Sequence, residues 1–156
     1  MIELRLDDPR WADVLRDETV ERIARTVFDR LGLSGEIEGS LLGCDDAQIS
    51  ALNAEFREKA SPTNVLSWPA EDLEPPDLPK PDPDGVIELG DIAMAYETCA
   101  REAAEQDKTL SDHSAHLVVH GLLHLLGYDH ERDEDATLME GLEKEILGKL
   151  GIKDPY

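Results

Sequence analysis

The stretch TLSDHSAHLVVHGLLHLLG, residues 109–127, is the most apolar helical pattern in this sequence. A helix that is apolar over most of its surface packs at the centre of a domain. Its central apolar residues are Val118, Val119, Leu122 and Leu123. Gly127 is a natural C-terminal stop for such a helix. We therefore predict a buried central helix, and this helix also carries most of the histidines.

The segments outside this helix show both strand and helix patterns. β-Branched runs and apolar-polar alternation predict four strands, at 2–6, 36–44, 63–69 and from residue 86 onward. Helical spacing of apolar residues predicts four more helices: 11–31, 45–59, a segment from a switch near Gly90 and Asp91 to about 106, and 131–151. The apolar stripe of the last helix is Leu138, Leu142, Ile146 and Leu150. The sequence thus predicts one α+β domain over residues 1–156, with a roughly four-stranded sheet, about five helices and a central buried histidine-bearing helix.

Residues 70–85, AEDLEPPDLPKPDPDG, are rich in proline and in acidic side chains. Proline lacks a backbone donor, and a high density of charge favours contact with water over burial. We predict an extended, solvated loop here.

The formal net charge is −21, from 36 acidic and 15 basic residues. Proteins bind nucleic acid non-specifically by neutralising phosphates with Lys and Arg, and a global charge of this sign opposes that binding. A nucleic-acid substrate would therefore have to meet a local basic patch, a metal ion or a partner. The acidity itself is typical of a solubility or salt-adaptation trait, and it favours basic partner proteins.

The N-terminal residues MIELRLDDPRW lack the basic start and apolar run of a secretory signal. No stretch approaches the ~20 apolar residues that a membrane span needs. Cys44 and Cys99 do not form a CxxC pair, and we interpret both as packing residues in a reducing compartment. These features predict a cytoplasmic protein without a membrane partner.

All five histidines of the sequence lie between residues 113 and 130. On a helix, His120 and His124 are one turn apart and about 40° apart in rotation, so their imidazoles can meet at one ion. His116 and His120 form a rival pair, but no third ligand is evident near His113 and His116. Because Gly127 ends the helix, the chain can turn back and bring His130 to the first pair. We therefore predict a metal site formed by His120, His124 and His130.

Three imidazoles with a fourth position open are typical of catalytic zinc sites. Imidazole also suits other divalent transition metals, and a histidine-rich helix can bind metal only adventitiously. The spacing HxxxHxxGxxH is that of metzincin peptidases, whose second position holds a glutamate base. Here that position is Gly121, which disfavours the peptidase mechanism. Asp129, beside His130, is interpreted as a turn residue or as a group that orients a ligand histidine.

Three stretches, HGLLHLLGYDH (120–130), LNAEFREKASPTNVLSWP (52–69) and LGDIAM (89–94), together resemble the YbeY family of bacterial endoribonucleases. HGLLHLLGYDH (120–130) is similar to the family pattern HGxLHLxGYDH. LNAEFREKASPTNVLSWP (52–69) is similar to LNxxFRxxxxPTDVLSFP, with Asn64 in place of the usual Asp and Trp68 in place of Phe. LGDIAM (89–94) is a third match, and LGIKDPY resembles the common C-terminal end of the family.

The resemblance implies one zinc ion per chain at His120, His124 and His130, and it implies that Arg57 lies in the active-site cleft and contributes to activity. It further implies cleavage of single-stranded RNA in rRNA maturation, at the 3′ end of 16S rRNA, and in ribosome quality control. The implied partners are rRNA, proteins of the small ribosomal subunit and a ribosome-associated GTPase. An arginine at position 57 could hold a phosphate by paired hydrogen bonds.

Two other functions remain open from the sequence. One is a metallopeptidase related to metzincins, against which Gly121 counts. The other is a non-enzymatic ribosome-assembly factor with a structural metal, which the net charge of −21 favours. For the endoribonuclease, the 2′-OH of the RNA as nucleophile would remove the need for an enzyme base at position 121.

Overall fold

A four-stranded mixed sheet forms one layer of the protein, in the order β1-β2-β4-β3. The computed structural model describes residues 1–57 and 62–156, without the side chains of residues 56 and 57. The strands are β1 Ile2–Leu6, β2 Glu36–Cys44, β3 Val65–Pro69 and β4 Val86–Ala95. β1 and β4 pair in parallel with β2, whereas β3 pairs antiparallel with β4 at the edge.

Five α-helices and one 3₁₀ turn complete the described chain. They are a 3₁₀ turn Pro9–Asp13, α1 Asp17–Leu31, α2 Asp46–Arg57, α3 Tyr96–Glu105, α4 Leu110–Leu125 and α5 Asp133–Lys149. α4 contacts α1, α3, α5, β3 and β4, so it lies at the centre of the helical layer. Its residues Val118, Val119, Leu122 and Leu123 are almost fully buried. The predicted α+β fold with a central buried histidine-bearing helix is confirmed.

The strand that begins at residue 86 continues to Ala95, so the predicted switch to helix near Gly90 and Asp91 is wrong. Gly90 marks an irregularity instead, because the register with β2 shifts between Glu38 and Ser40. The φ of Gly90 is +127°, and a Cβ there would lie 2.1 Å from the Trp68 carbonyl oxygen. Glycine is therefore required at this position beside β3, and pairing on both edges keeps the strand intact.

The predicted helix 11–31 is divided into a 3₁₀ turn and α1. Asp8 caps the turn by accepting a hydrogen bond from the Arg10 amide. Trp11 is fully buried, and its indole Nε1 donates to the Cys44 carbonyl oxygen at 2.9 Å. This bond fixes the 3₁₀ turn against the end of β2, and α1 begins separately at Asp17.

The face that α5 buries overlaps the predicted stripe but is shifted from it. Leu142 and Ile146 are buried as expected, but Leu138 is 52% exposed. The buried face consists of Met139, Leu142, Glu143, Ile146 and Leu147. A charged residue, Glu143, thus occupies the side of α5 that faces the protein interior.

Residues 70–85 form no helix or strand, and most of them are exposed, as predicted. Cys44 and Cys99 are buried free thiols, which agrees with their interpretation as packing residues. Burial raises the pKa of the Cys44 thiol to about 12. Among the residues that the structure describes, no helix has the length and apolar character to span a bilayer.

Candidate metal centre

The end of α4 creates the turn that brings the third histidine back. The Gly127 amide donates to the His124 carbonyl, and the Tyr128 amide donates to the Leu123 carbonyl, each at 3.0 Å. This pair of bonds, with Gly127 at a φ of +96°, is a Schellman motif. The chain therefore reverses directly after the helix, and His130 returns to the side of α4 that carries His120 and His124.

The structure brings the three predicted histidines together. The Nε2 atoms of His120 and His124 are 3.0 Å apart, and the His130 ring lies 5.5 Å and 5.4 Å from their ring centroids. One ligand nitrogen from each of the three lies within 4.8 Å of the others. Two nitrogens on one tetrahedral zinc ion lie about 3.3 Å apart, given Zn–N distances of ~2.0–2.1 Å. The spacing and the donor type therefore fit a single transition-metal ion.

The electrostatics of His124 suit a neutral ligand. Burial, together with the neighbouring His120 and His130, lowers the pKa of His124 to about 4. A backbone hydrogen bond with Tyr128 acts in the opposite direction and raises this pKa, but its effect is smaller. A neutral imidazole keeps a lone pair for a metal, whereas a protonated ring cannot bind one. His124 is thus available as a ligand at neutral pH.

Glu143 of α5 is a functional candidate that the sequence analysis missed. Its carboxylate is fully buried and contacts His120 Nδ1 at 2.8 Å, His116 Nε2 at 3.1 Å and the Tyr156 hydroxyl at 2.6 Å. Burial raises the pKa of Glu143, but hydrogen bonds from these three groups lower it to about 2. The carboxylate is therefore ionised beside the histidine cluster.

The expectation that no third ligand accompanies the rival histidine pair is wrong. His116, His120 and Glu143 form a second group whose ligand atoms lie within 4.8 Å of one another. The available signal was a glutamate four residues after Met139 and four before Leu147, on the stripe that α5 buries. Such a position demands a polar partner across the helix interface.

A cleft of about 460 Å³ opens in front of the three histidines. Its lining includes Thr63, Asn64 and Ser67 from β3 and the residues before it, and Asp129 and Glu131 from the turn after α4. Asp129 accepts a hydrogen bond from the Glu131 amide at 3.4 Å, which places it in the turn before α5. No Lys or Arg is among the described residues that line this cleft.

Arg57 lies at the end of α2, and its side chain is outside the described part of the structure. Its placement in the cleft remains a prediction.

Comparison with known proteins identifies the family. A family profile described as Endoribonuclease YbeY matches residues 7–151. A Ruegeria pomeroyi protein named Endoribonuclease YbeY is 59% identical over 162 residues, which cover 99% of this chain and 97% of that protein. A Paracoccus denitrificans protein of the same name is 54% identical over 156 residues, covering 99% and 89%. The chain belongs to the YbeY endoribonuclease family.

A solved structure shares the fold. The solution structure of a Thermotoga maritima protein matches with a TM-score of 0.59 over 97% of this chain and 92% of that chain. The identity is 24%, so this similarity concerns the fold alone.

Gly121 has a packing role in this member of the YbeY family. It is buried in α4, and a Cβ at this position would lie 3.0–3.4 Å from the Ile92 side chain on β4. Position 121 therefore faces the sheet, and a glutamate there would be forced into the apolar core. The glutamate of the peptidase pattern has no room at position 121, because this position packs against Ile92. The site consequently has no glutamate base at this position.

Asn64 is the cleft residue that departs from the family pattern. Its Nδ2 donates to Glu102 Oε1 at 3.0 Å, and its Oδ1 accepts from the Val65 amide at 2.7 Å. Glu102 Oε1 also contacts His113 Nε2 at 2.9 Å. The amide of Asn64 thus supplies a donor that an aspartate would lack.

We expect Asn64→Asp to lower the free energy of unfolding by about 1–2 kcal/mol at pH 7, because two carboxylates would then face each other without a donor. Protonation of one carboxyl restores a donor, so its folded-state pKa is raised. The loss is therefore absent below about pH 4, where the unfolded chain is also protonated, and grows as the pH rises toward 7. Urea unfolding at several pH values measures this dependence.

The double variant Asn64→Asp/Glu102→Gln is the control, because its glutamine amide can donate to the introduced aspartate. It should recover most of the lost stability. If Asn64→Asp alone is as stable as the parent at pH 7, the contact with Glu102 does not carry the effect.

Proposed function

We propose that this protein is a zinc-dependent endoribonuclease that cleaves single-stranded RNA. The observation that carries the proposal is the set of three imidazoles, His120, His124 and His130, at the floor of an open cleft. Structural zinc sites are usually closed and rich in cysteine, whereas catalytic sites leave a position open. Membership in the YbeY endoribonuclease family supports RNA as the substrate.

The chain's own residues divide the work in this proposal. His120, His124 and His130 would hold a divalent metal, which when bound would supply Lewis-acid chemistry at a phosphodiester. Arg57 holds a phosphate and stabilises the charge that develops in the transition state. The RNA 2′-OH serves as the nucleophile: its oxygen bonds to phosphorus as the bond from phosphorus to the 5′-oxygen breaks, its proton passes to water, and the 5′-oxygen takes up a proton from water. Position 121 packs against Ile92 and supplies no base for this transfer.

Analysis of the products tests this mechanism. Purified protein loaded with one equivalent of zinc is incubated with a single-stranded RNA, and the new termini are identified by mass spectrometry. We expect a 2′,3′-cyclic phosphate and a 5′-OH. A 3′-OH with a 5′-phosphate would contradict attack by the 2′-OH, and no zinc-dependent cleavage would contradict the proposed activity.

We expect Arg57→Ala to lower the cleavage rate by 10- to 100-fold, because loss of one stabilising donor typically costs at least that much. Arg57→Lys should retain part of the rate, since a lysine keeps the charge but not the paired donors. Arg25→Ala, at an exposed position of α1, is the matched control. Single-turnover cleavage rates measure the effect. Equal cleavage rates for Arg57→Ala and Arg25→Ala would show that Arg57 does not contribute to catalysis.

In the cell, we propose a role in the cytoplasm in the maturation of the 16S rRNA 3′ end and in ribosome quality control. The proposed partners are rRNA, basic proteins of the small subunit and a ribosome-associated GTPase. The net charge of −21 supports basic protein partners. A strain that lacks the gene should accumulate 16S rRNA with an unprocessed 3′ end, and only an active copy should restore processing.

The net charge also supports a second candidate, a ribosome-assembly factor without catalysis. In that case a His124→Ala copy would restore 16S rRNA processing as well as the parent does. A peptidase is disfavoured because position 121 faces the sheet, and a casein assay should show no cleavage.

A further inference from the structure

The buried carboxylate of Glu143 lies at the centre of a network behind the three histidines. Its Oε1 contacts His120 Nδ1 at 2.8 Å and His116 Nε2 at 3.1 Å, and its Oε2 accepts from the Tyr156 hydroxyl at 2.6 Å. All three neighbours can donate, and an ionised carboxylate can only accept. The network is therefore complete when both histidines carry their proton on the nitrogen that faces Glu143.

This arrangement determines the tautomer of His120. If Nδ1 carries the proton toward Glu143, Nε2 of the neutral ring has a free lone pair. That Nε2 is the atom 3.0 Å from Nε2 of His124, inside the three-histidine cluster. A carboxylate behind a ligand histidine fixes its tautomer and ring orientation and raises its basicity.

His116 supports the same assignment. Its Nδ1 is buried and has no hydrogen-bond partner within the part of the chain that the structure describes, whereas its Nε2 contacts Glu143. A neutral His116 that donates from Nε2 leaves only a lone pair at Nδ1. The opposite tautomer would bury an unpaired N–H and also leave Glu143 short of a donor, and both would cost stability.

The segment after α5 closes the network from outside. Lys108 Nζ donates to the Pro155 carbonyl at 3.3 Å, and the Tyr156 amide donates to Asp154 Oδ1 at 2.8 Å. These bonds hold the segment so that the Tyr156 hydroxyl reaches Glu143, although 56% of Tyr156 is exposed. The segment is therefore connected to His120 through one buried carboxylate.

We propose that Glu143 is a positioning residue of the metal centre, and that Tyr156 seats its carboxylate. Glu143 holds His120 as the tautomer whose Nε2 faces His124 and His130. The inference rests on the proposed metal binding, and it adds two residues outside the histidine motif to the site.

The first test reads the tautomer in the metal-free protein. Long-range ¹H–¹⁵N NMR distinguishes the protonated from the bare nitrogen of each histidine. We expect His120 with its proton on Nδ1 and His116 with its proton on Nε2. His120 protonated on Nε2 in the parent protein would overturn the proposal, whatever the outcome of metal or RNA assays.

The second test measures zinc affinity by competition with a chromophoric chelator. We expect Glu143→Gln to weaken binding by about 10- to 100-fold, the usual effect of losing an outer-shell partner. Tyr156→Phe should weaken it by about 2- to 10-fold, as expected for one hydrogen bond. The controls are Glu145→Gln, at an exposed position of α5, and Tyr96→Phe, whose ring packs against Trp11. Both controls should bind zinc within twofold of the parent.

The outcomes separate this proposal from the proposed function. A parent protein that binds no zinc contradicts the metal-dependent function, whereas equal zinc affinity in the parent, Tyr156→Phe and Glu143→Gln contradicts the positioning role. If Glu143→Gln does not fold, the zinc affinity of Tyr156→Phe and the histidine tautomers of the parent protein still test the positioning role. Two zinc ions per parent chain, reduced to one in Glu143→Gln, would make Glu143 a ligand and overturn the proposal.

Discussion

Replacing His124 with alanine is expected to abolish zinc-dependent RNA cleavage and to weaken zinc binding by more than about 100-fold. That figure is the upper range for losing an outer-shell partner, and a direct ligand contributes more. His124 Nε2 lies 3.0 Å from His120 Nε2, so its removal leaves His120 and the exposed His130 as the remaining pair. Chelator competition and single-turnover cleavage at fixed zinc measure the two effects.

His113→Gln is the matched control on the same helix. His113 lies outside the three-histidine cluster and contacts Glu102, and a glutamine can keep that hydrogen bond. The control should bind zinc as the parent does. Thermal unfolding without metal checks that His124→Ala is folded. Retention of parental zinc affinity in a folded His124→Ala protein would exclude the three-histidine site.

Replacing Gly127 with alanine is expected to lower the free energy of unfolding by more than about 3 kcal/mol. The φ of +96° alone costs an alanine about 1–2 kcal/mol. A Cβ would also lie 2.3 Å from the Leu73 carbonyl oxygen, so the 70–85 segment must move away from the end of α4. Because His130 follows this turn, zinc affinity should fall as well. Denaturant unfolding of the metal-free protein measures the stability loss.

Two other glycines separate the causes. Gly32 ends α1 at a φ of +72°, and no described atom would lie within 4 Å of a Cβ at this position, so Gly32→Ala reports the backbone cost alone. Gly141 lies in the middle of α5, and among residues 1–57 and 62–156 nothing would lie within 4 Å of a Cβ there, so Gly141→Ala should stabilise the protein by about 0.5–1 kcal/mol. If Gly127→Ala costs no more than Gly32→Ala, the contact with Leu73 has no energetic role.

Local sequence patterns correctly predicted the features that depend on residues close together in the sequence. The strands 2–6 and 36–44 have the predicted bounds. For 2–6 the apolar-polar alternation can be seen in the sequence without knowing the partner strand. The three histidines could be grouped because they lie on one helix and on the turn that ends it, where spacing alone determines geometry. The family resemblance is confirmed by the comparison with known proteins.

Features that depend on tertiary pairing were missed. Gly90 is a local signal for a break, yet β4 continues through it because strands pair on both of its edges. Glu143 reaches the histidines from α5, and nothing in the sequence near residue 120 indicates it. The choice of Leu138 over Met139 as a core position failed for the same reason, since the packing of α5 against the core selects the buried face.

The closeness in sequence of His120, His124 and His130 has a thermodynamic consequence. Ligands that lie within residues 120–130 can converge on an ion in a disordered chain at a small cost in loop closure. The denatured ensemble therefore retains some affinity for zinc. The rise in melting temperature on zinc binding then depends on how much more tightly the native state binds zinc than the denatured ensemble does. Saturating zinc should increase the melting temperature less than the native dissociation constant alone implies, and the ion can load before the sheet is complete.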